Sequence, residues 1–246
     1  MTAPPAAVGP SKTAALLCDA DGNLFPSEEP AFVASAEVTN AFLAHHGIEV
    51  TLDPVGLRQA ATGRSFRATI ADIAGRYGVD LTEPERDRWV DRERRAVTER
   101  LAATLRPDGH VREPLDRLAR RFTLATVSSS AAERVGACLE VTGLARLFPP
   151  DRRFSAEDSL PAPTSKPDPA VYAFACRSLG VSPRSAVAVE DSVPGVHSAV
   201  GAGIVTVGNL QFVPEDERRQ RAAELSDAGA AAVVRTWAEL EVLLRA

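Results

Sequence analysis

The chain has 246 residues, 45% of them hydrophobic and 25% charged, with a formal net charge of −5. Such a length holds one large domain or two smaller ones around a substantial core, and the composition is that of an ordinary globular protein. The acidic balance excludes broad attraction to nucleic acid or an anionic membrane, and no apolar run approaches the ~20 residues needed to cross a bilayer.

In chain order, residues 1–12 (MTAPPAAVGPSK) lack both a basic n-region and a continuous apolar h-region, and are read as a disordered tail and not a signal peptide. Cys18, Cys138 and Cys176 are an odd set without a close pair, which argues against a disulfide framework or a zinc site; the cytoplasm is the expected compartment. Residues 14–20 (AALLCDA) form an apolar run ending in Asp-Gly, the pattern of a buried parallel strand. Helical spacing then takes over. Residues 31–47 read as a helix closing on Gly47, residues 53–63 and 65–78 as two shorter ones, and residues 82–105 as a charged amphipathic helix with Thr82 as N-cap. No strand is expected between Pro30 and Arg106, so this is an all-helical insert.

Beyond residue 112 helices and strands alternate. Residues 113–121 read as helix, 122–130 as a strand ending in hydroxyls, 131–143 as helix and 151–157 as a short strand or loop. Then come a helix over 167–180, a strand over 185–192 ending in acids, a helix over 194–203, a strand over 204–209, and a last short strand and helix over 231–244. Alternation of this kind predicts an α/β fold, a Rossmann-like parallel sheet with right-handed crossovers, whose ligand site lies at the carboxyl ends of the strands. The expected division is a core domain over 13–27 and 106–246 and a helical domain over 28–105.

The expected strand ends carry Asp19 and Asp21, Ser128 to Ser130, and Glu190 and Asp191, while the loop TSKPDP can bring Lys166 to the same rim. Lys166 stands out because the only other lysine is Lys12. Unpaired carboxylates gathered so closely repel one another, and a divalent cation relieves the conflict; an oxygen-only ligand set favours Mg²⁺. Asp19 is placed to attack phosphorus and Asp21 to supply and later remove a proton. Ser128 and the backbone N–H of Ser129 can hold phosphate oxygens, with Lys166 offsetting their charge.

The segments DADGNL, TVSSS, SKPDPAVY and VEDSVPGVHSAVGAG, in that order and spacing, resemble the haloacid dehalogenase-like (HAD) superfamily, in its phosphoglycolate phosphatase and β-phosphoglucomutase branch. The resemblance implies that the helical insert is a cap closing over the active site. It further implies Asp19 as nucleophile and Mg²⁺ ligand, and Asp21 as general acid/base lending its backbone carbonyl to the metal. Asp191 would be a metal ligand and Glu190 a ligand or its support, with Ser128 and Lys166 on the phosphoryl group. Arg64 and Arg67 fall where relatives carry a substrate-specificity loop. Two positions depart from the family pattern: Cys18, where Phe is usual, is read as a small buried hydrophobe, and Pro26, where many carry Asp, touches hinge behaviour and substrate choice.

The expected activity is Mg²⁺-dependent hydrolysis of a small organic phosphomonoester, a sugar phosphate or phosphoglycolate-like molecule, through an aspartyl-phosphate. A β-phosphoglucomutase-like phosphomutase is the nearest alternative, disfavoured because TGRSF lacks a basic pair; a dehalogenase would leave Asp21 unexplained, and a non-catalytic phosphate-binding module would leave the full residue set unexplained. The partner is a small phosphorylated molecule, with neither nucleic acid nor membrane, and the chain is expected as a monomer or weak homodimer. His45, His46, His110 and His197 are read as forming no ligand-like cluster.

Overall fold

The computed structural model describes residues 13–61 and 65–245, so the tail expected over 1–12 lies outside the described residues. The chain forms two compact units, Met1–Pro26 with Arg106–Ala246, and Ser27–Leu105. Among the described residues no helix is long and apolar enough to cross a membrane.

Strand β1 (Ala15–Cys18) is buried along its whole length, as its unbroken apolar run requires. The chain then leaves the sheet for four helices: α1 (Glu28–His45), α2 (Pro54–Ala61), α3 (Phe66–Arg76) and α4 (Glu83–Thr104). Phe42, Leu43, Ile70, Ile73 and Trp89 form the core of this unit, and no strand occurs among its described residues. Gly47 ends the α1 region at φ +70°, a left-handed conformation that a side chain would resist. Ser65 caps α3 by accepting from Ala68 N–H. Thr82 occupies the cap position of α4, but its side chain makes no capping bond.

The remaining elements are α5 (Gly109–Leu118), β2 (Thr123–Ser128), α6 (Ala132–Val141), β3 (Arg153–Ser155), α7 (Ala170–Leu179), β4 (Ala186–Glu190), α8 (Val193–Gly201), β5 (Val205–Asn209), α9 (Arg218–Asp227), β6 (Ala232–Val234) and α10 (Trp237–Leu243). The six strands are all parallel, in the order β3-β2-β1-β4-β5-β6. The fold is thus the expected α/β sheet with an all-helical insert. Because the chain moves outward to β3 and returns to β4 on the other side of β1, the strand order reverses between β1 and β4. A crevice opens at the carboxyl ends of such neighbours.

Two elements differ from expectation. Helix α5 starts at Gly109, four residues before the predicted position, because the Asp108 carboxylate accepts from His110 N–H and caps an earlier turn; Pro114 then lies inside the helix. Helix α9 was not expected at all. Its sequence RRQRAAELSD is polar and buries only Leu225, so it shows no apolar stripe to read.

Candidate active site

At its carboxyl end β1 pairs Cys18 with Thr126 of β2 and with Val189 of β4. Asp19, one residue further, donates its N–H to the Val189 carbonyl at 2.9 Å, so it sits between two strands at the point of reversal. Its position is fixed from behind by Asn23. The buried Asn23 amide donates to the carbonyls of Asp19 (2.9 Å) and Val189 (3.0 Å), and its oxygen accepts from Asn209 Nδ2 at 2.7 Å. Trp237 Nε1 donates to the Asn23 carbonyl at 3.0 Å. Through its side chain and its carbonyl, this one residue ties the ends of β1 and β4 to the ends of β5 and α10. Neither Asn23, Asn209 nor Trp237 was singled out from the sequence.

Lys166, in the loop before α7, is the centre of the constellation. Its Nζ donates to Asp19 Oδ1, to Glu190 Oε1 (2.7 Å) and to the Val127 carbonyl (2.8 Å). Its backbone N–H donates to Ser129 Oγ at 3.1 Å. Tyr172, in the first turn of α7, donates its hydroxyl to the same Glu190 Oε1, and its ring centroid lies 5.3 Å from Nζ. The segments expected to converge do converge, and Tyr172 is an addition to them. After β2, Ser128 Oγ accepts from Ser130 N–H (3.0 Å), shaping the turn, while Ser130 Oγ donates to Asp21 Oδ2 at 2.7 Å.

Carboxylate oxygens of Asp19, Glu190 and Asp191 lie within 4.8 Å of one another, all three residues being buried. Asp21 stands outside this trio, next to Ser130. Room for the acids is made by glycine. A Cβ on Gly22 (φ +76°) would fall 2.3 Å from Asp191 Oδ2, and one on Gly195, in the first turn of α8, 1.8 Å from Glu190 Oε2. Arg221, on the unexpected α9, donates to the Asp191 carbonyl at 3.2 Å.

Burial pushes the Asp19 carboxyl up to about 8 even though Lys166 pulls it down, with Glu190 and Asp21 adding to the rise. Burial alone would lower the Lys166 ammonium, but Asp19 and Glu190 outweigh it and hold the group above its ordinary value. The Tyr172 hydroxyl is raised well above its usual range by burial and by Glu190. Cys18 is fully buried and its thiol is raised by burial and by the neighbouring acids, so it packs as an apolar residue. One atom is left over: Glu190 Oε2 is buried without a hydrogen-bond partner. A buried carboxyl oxygen in that state, beside two further acids, is a fitting ligand for a hard cation.

In the helical unit Arg67 pairs with Asp87 at 2.6 Å, both side chains about half exposed, and Arg64 lies outside the described residues. The reading of the histidines needs correction. His45 and His46 lie 3.9 and 3.2 Å from the Glu85 carboxylate, in a cluster of metal-ligand type. Glu85 is remote in sequence and comes from another helix, so nothing local announced it.

The model of the haloacid dehalogenase-like hydrolase family matches residues 31–209, and the chain belongs to that family of enzymes. The matched span includes Ser128, Lys166, Glu190 and Asp191 but begins after Asp19 and Asp21. A HAD family hydrolase from Deinococcus radiodurans R1, crystallised with bound phosphate and sodium, is 27% identical, with 95% of this chain and 98% of that one covered and a TM-score of 0.65. CbbY from Rhodobacter sphaeroides in complex with phosphate shares the fold at a TM-score of 0.75, with 23% identity over 95% of this chain and 100% of that one. A CBBY-like protein of Arabidopsis thaliana is 38% identical over 65 residues, which are 26% of this chain and 20% of that protein. That match therefore spans about a fifth of the curated relative's length.

Proposed function

We propose that the protein is a Mg²⁺-dependent phosphomonoesterase acting on a small sugar phosphate or phosphoglycolate-like molecule, with Asp19 as nucleophile. The observation that carries the reading is the position of Lys166 Nζ, which joins Asp19 and Glu190, two members of an acid trio that includes an unpartnered carboxyl oxygen. The phosphate bound in the Deinococcus radiodurans relative supports the same substrate class.

In this reading an Asp19 carboxylate oxygen attacks phosphorus and the P–O bond to the alcohol breaks. Asp21 gives the departing oxygen its proton, then takes a proton from the water that attacks the aspartyl-phosphate and frees Asp19. Ser130 holds Asp21 for both transfers through its 2.7 Å hydrogen bond. Lys166 offsets phosphoryl charge, while Ser128 Oγ and the Ser129 N–H bind phosphoryl oxygens. Asp19, Asp191, the Asp21 carbonyl and Glu190 would hold Mg²⁺, which supplies positive charge to a buried carboxyl that otherwise favours its proton. Arg64 and Arg67 are proposed as substrate contacts of the helical unit, and the chain as a cytoplasmic monomer or weak homodimer.

The test uses p-nitrophenyl phosphate, a panel of sugar phosphates and phosphoglycolate, each with and without EDTA. Turnover should vanish with EDTA and return with Mg²⁺. Labelled substrate should leave a hydroxylamine-sensitive phosphoryl group on the wild type and none on Asp19→Asn. Given β-glucose 1-phosphate with a trace of bisphosphate, the enzyme should release free phosphate; glucose 6-phosphate would mark a mutase instead. Absence of Mg²⁺-dependent turnover across the panel overturns the proposal.

A further inference from the structure

Outside the strand ends, metal-ligating side chains gather a second time among the described residues, within the helical unit. Helix α1 ends on His45, and His46 is its C-cap residue, followed by the turn at Gly47. Glu85, in the first turn of α4, faces both rings. Its Oε1 lies 3.2 Å from His46 Nε2 and 3.9 Å from His45 Nε2. Metal–ligand bonds of about 2.1 Å place tetrahedral ligands about 3.4 Å apart, so these separations need only a small ring movement to close on one ion.

An ordinary histidine–carboxylate ion pair fits less well. His46 Nε2 is shielded from solvent and makes no hydrogen bond, although the carboxylate is beside it. Buried ring nitrogens are normally satisfied, and a cation held between ring and carboxylate would satisfy both. Aromatic packing fixes the rings: His46 lies edge-on to Phe42 at 4.7 Å, and His45 lies against Trp89 at 5.8 Å. The His45 side chain is 63% exposed, so an ion and its water can approach from that side. Two imidazoles with one carboxylate form a borderline-soft set, unlike the oxygen-only trio of Asp19, Glu190 and Asp191.

We propose that His45, His46 and Glu85 form a second cation site, selective for a borderline divalent metal such as Zn²⁺ and leaving the fourth position to water. Bound there, the ion joins the C-terminal end of α1 to the N-terminal end of α4, the two long helices that pack along each other in this unit. It acts as a structural staple remote from the strand ends in sequence and distinct from them in ligand chemistry.

The untagged full chain, saturated with Mg²⁺ to fill the oxygen site, is titrated with Co²⁺. One equivalent should give the visible absorption of nitrogen-ligated tetrahedral cobalt, and Zn²⁺ should bleach it. His45→Gln, at an exposed position, and Glu85→Gln should each weaken Co²⁺ binding by about tenfold or more. Zn²⁺ should raise the Tm of the wild type and leave that of His45→Gln in place. No cobalt band in the wild type, or wild-type affinity in either variant, overturns the site.

Discussion

The α/β unit and the helical unit place polar side chains by opposite means. At the strand ends, Lys166, Asp19 and Glu190 are all buried and each has its position set by several partners from different segments. On the helical unit, Arg67 and Asp87 meet as a half-exposed pair on two helix surfaces. Buried charge is over-determined and intolerant of loss; surface charge is replaceable. The charged groups at the strand ends are held rigidly, whereas the Arg67–Asp87 pair is free to vary.

Lys166→Met is the hardest blow to that contrast. It leaves two buried carboxylates without their cation, and should cost about 3–5 kcal/mol in urea unfolding as well as abolishing turnover. A loss below 1 kcal/mol would show that the site is wetter and more forgiving than its burial implies. Next comes Asn23→Ala, which strips partners from the Asp19 carbonyl and from Asn209 Nδ2. About 2–3 kcal/mol should be lost, and kcat should fall because Asp19 loses its support from behind.

A gentler probe lies between α5 and α10. Glu241 accepts from Arg117 at 2.9 Å through both oxygens and pairs with Arg245. Burial would raise its carboxyl, but the two arginines win and hold it below the ordinary 4.5. A depressed carboxyl contributes stability above 4.5 and loses it as pH falls through the folded value. The urea midpoint of the wild type should therefore drop below pH 4.5, and Glu241→Gln should flatten that part of the profile. Smallest of all, Arg67→Ala should change stability by less than about 1 kcal/mol and leave kcat intact; a rise in KM for phosphoglycolate, with its second anionic group, beyond that for p-nitrophenyl phosphate would make Arg67 a substrate contact.

Legibility in the sequence follows the same divide. Strands β1 and β4 were readable because full burial demands unbroken apolar runs, and the polar residues that end them mark the site. Asn23 was hidden because an amide after Asp-Gly looks like a turn residue; its partner Asn209 is 186 positions away. Asn209 ends β5 as Glu190 ends β4, so the cue that found the acids applied to it too. Tyr172 lies inside the segment SKPDPAVY, where an aromatic on a helix carries no sign of a polar role, and only its hydroxyl bond to Glu190 reveals one. His45 and His46 were judged by their neighbours in sequence, while the carboxylate that gives them meaning arrives on α4.

The bond from Trp237 to the Asn23 carbonyl links α10 to the turn that follows the opening strand. During synthesis, the segment carrying Asp19 leaves the ribosome long before the one that clamps it. A nascent chain that has not yet reached residue 237 already holds Asp19, Asp21, Lys166, Glu190 and Asp191 but lacks this latch.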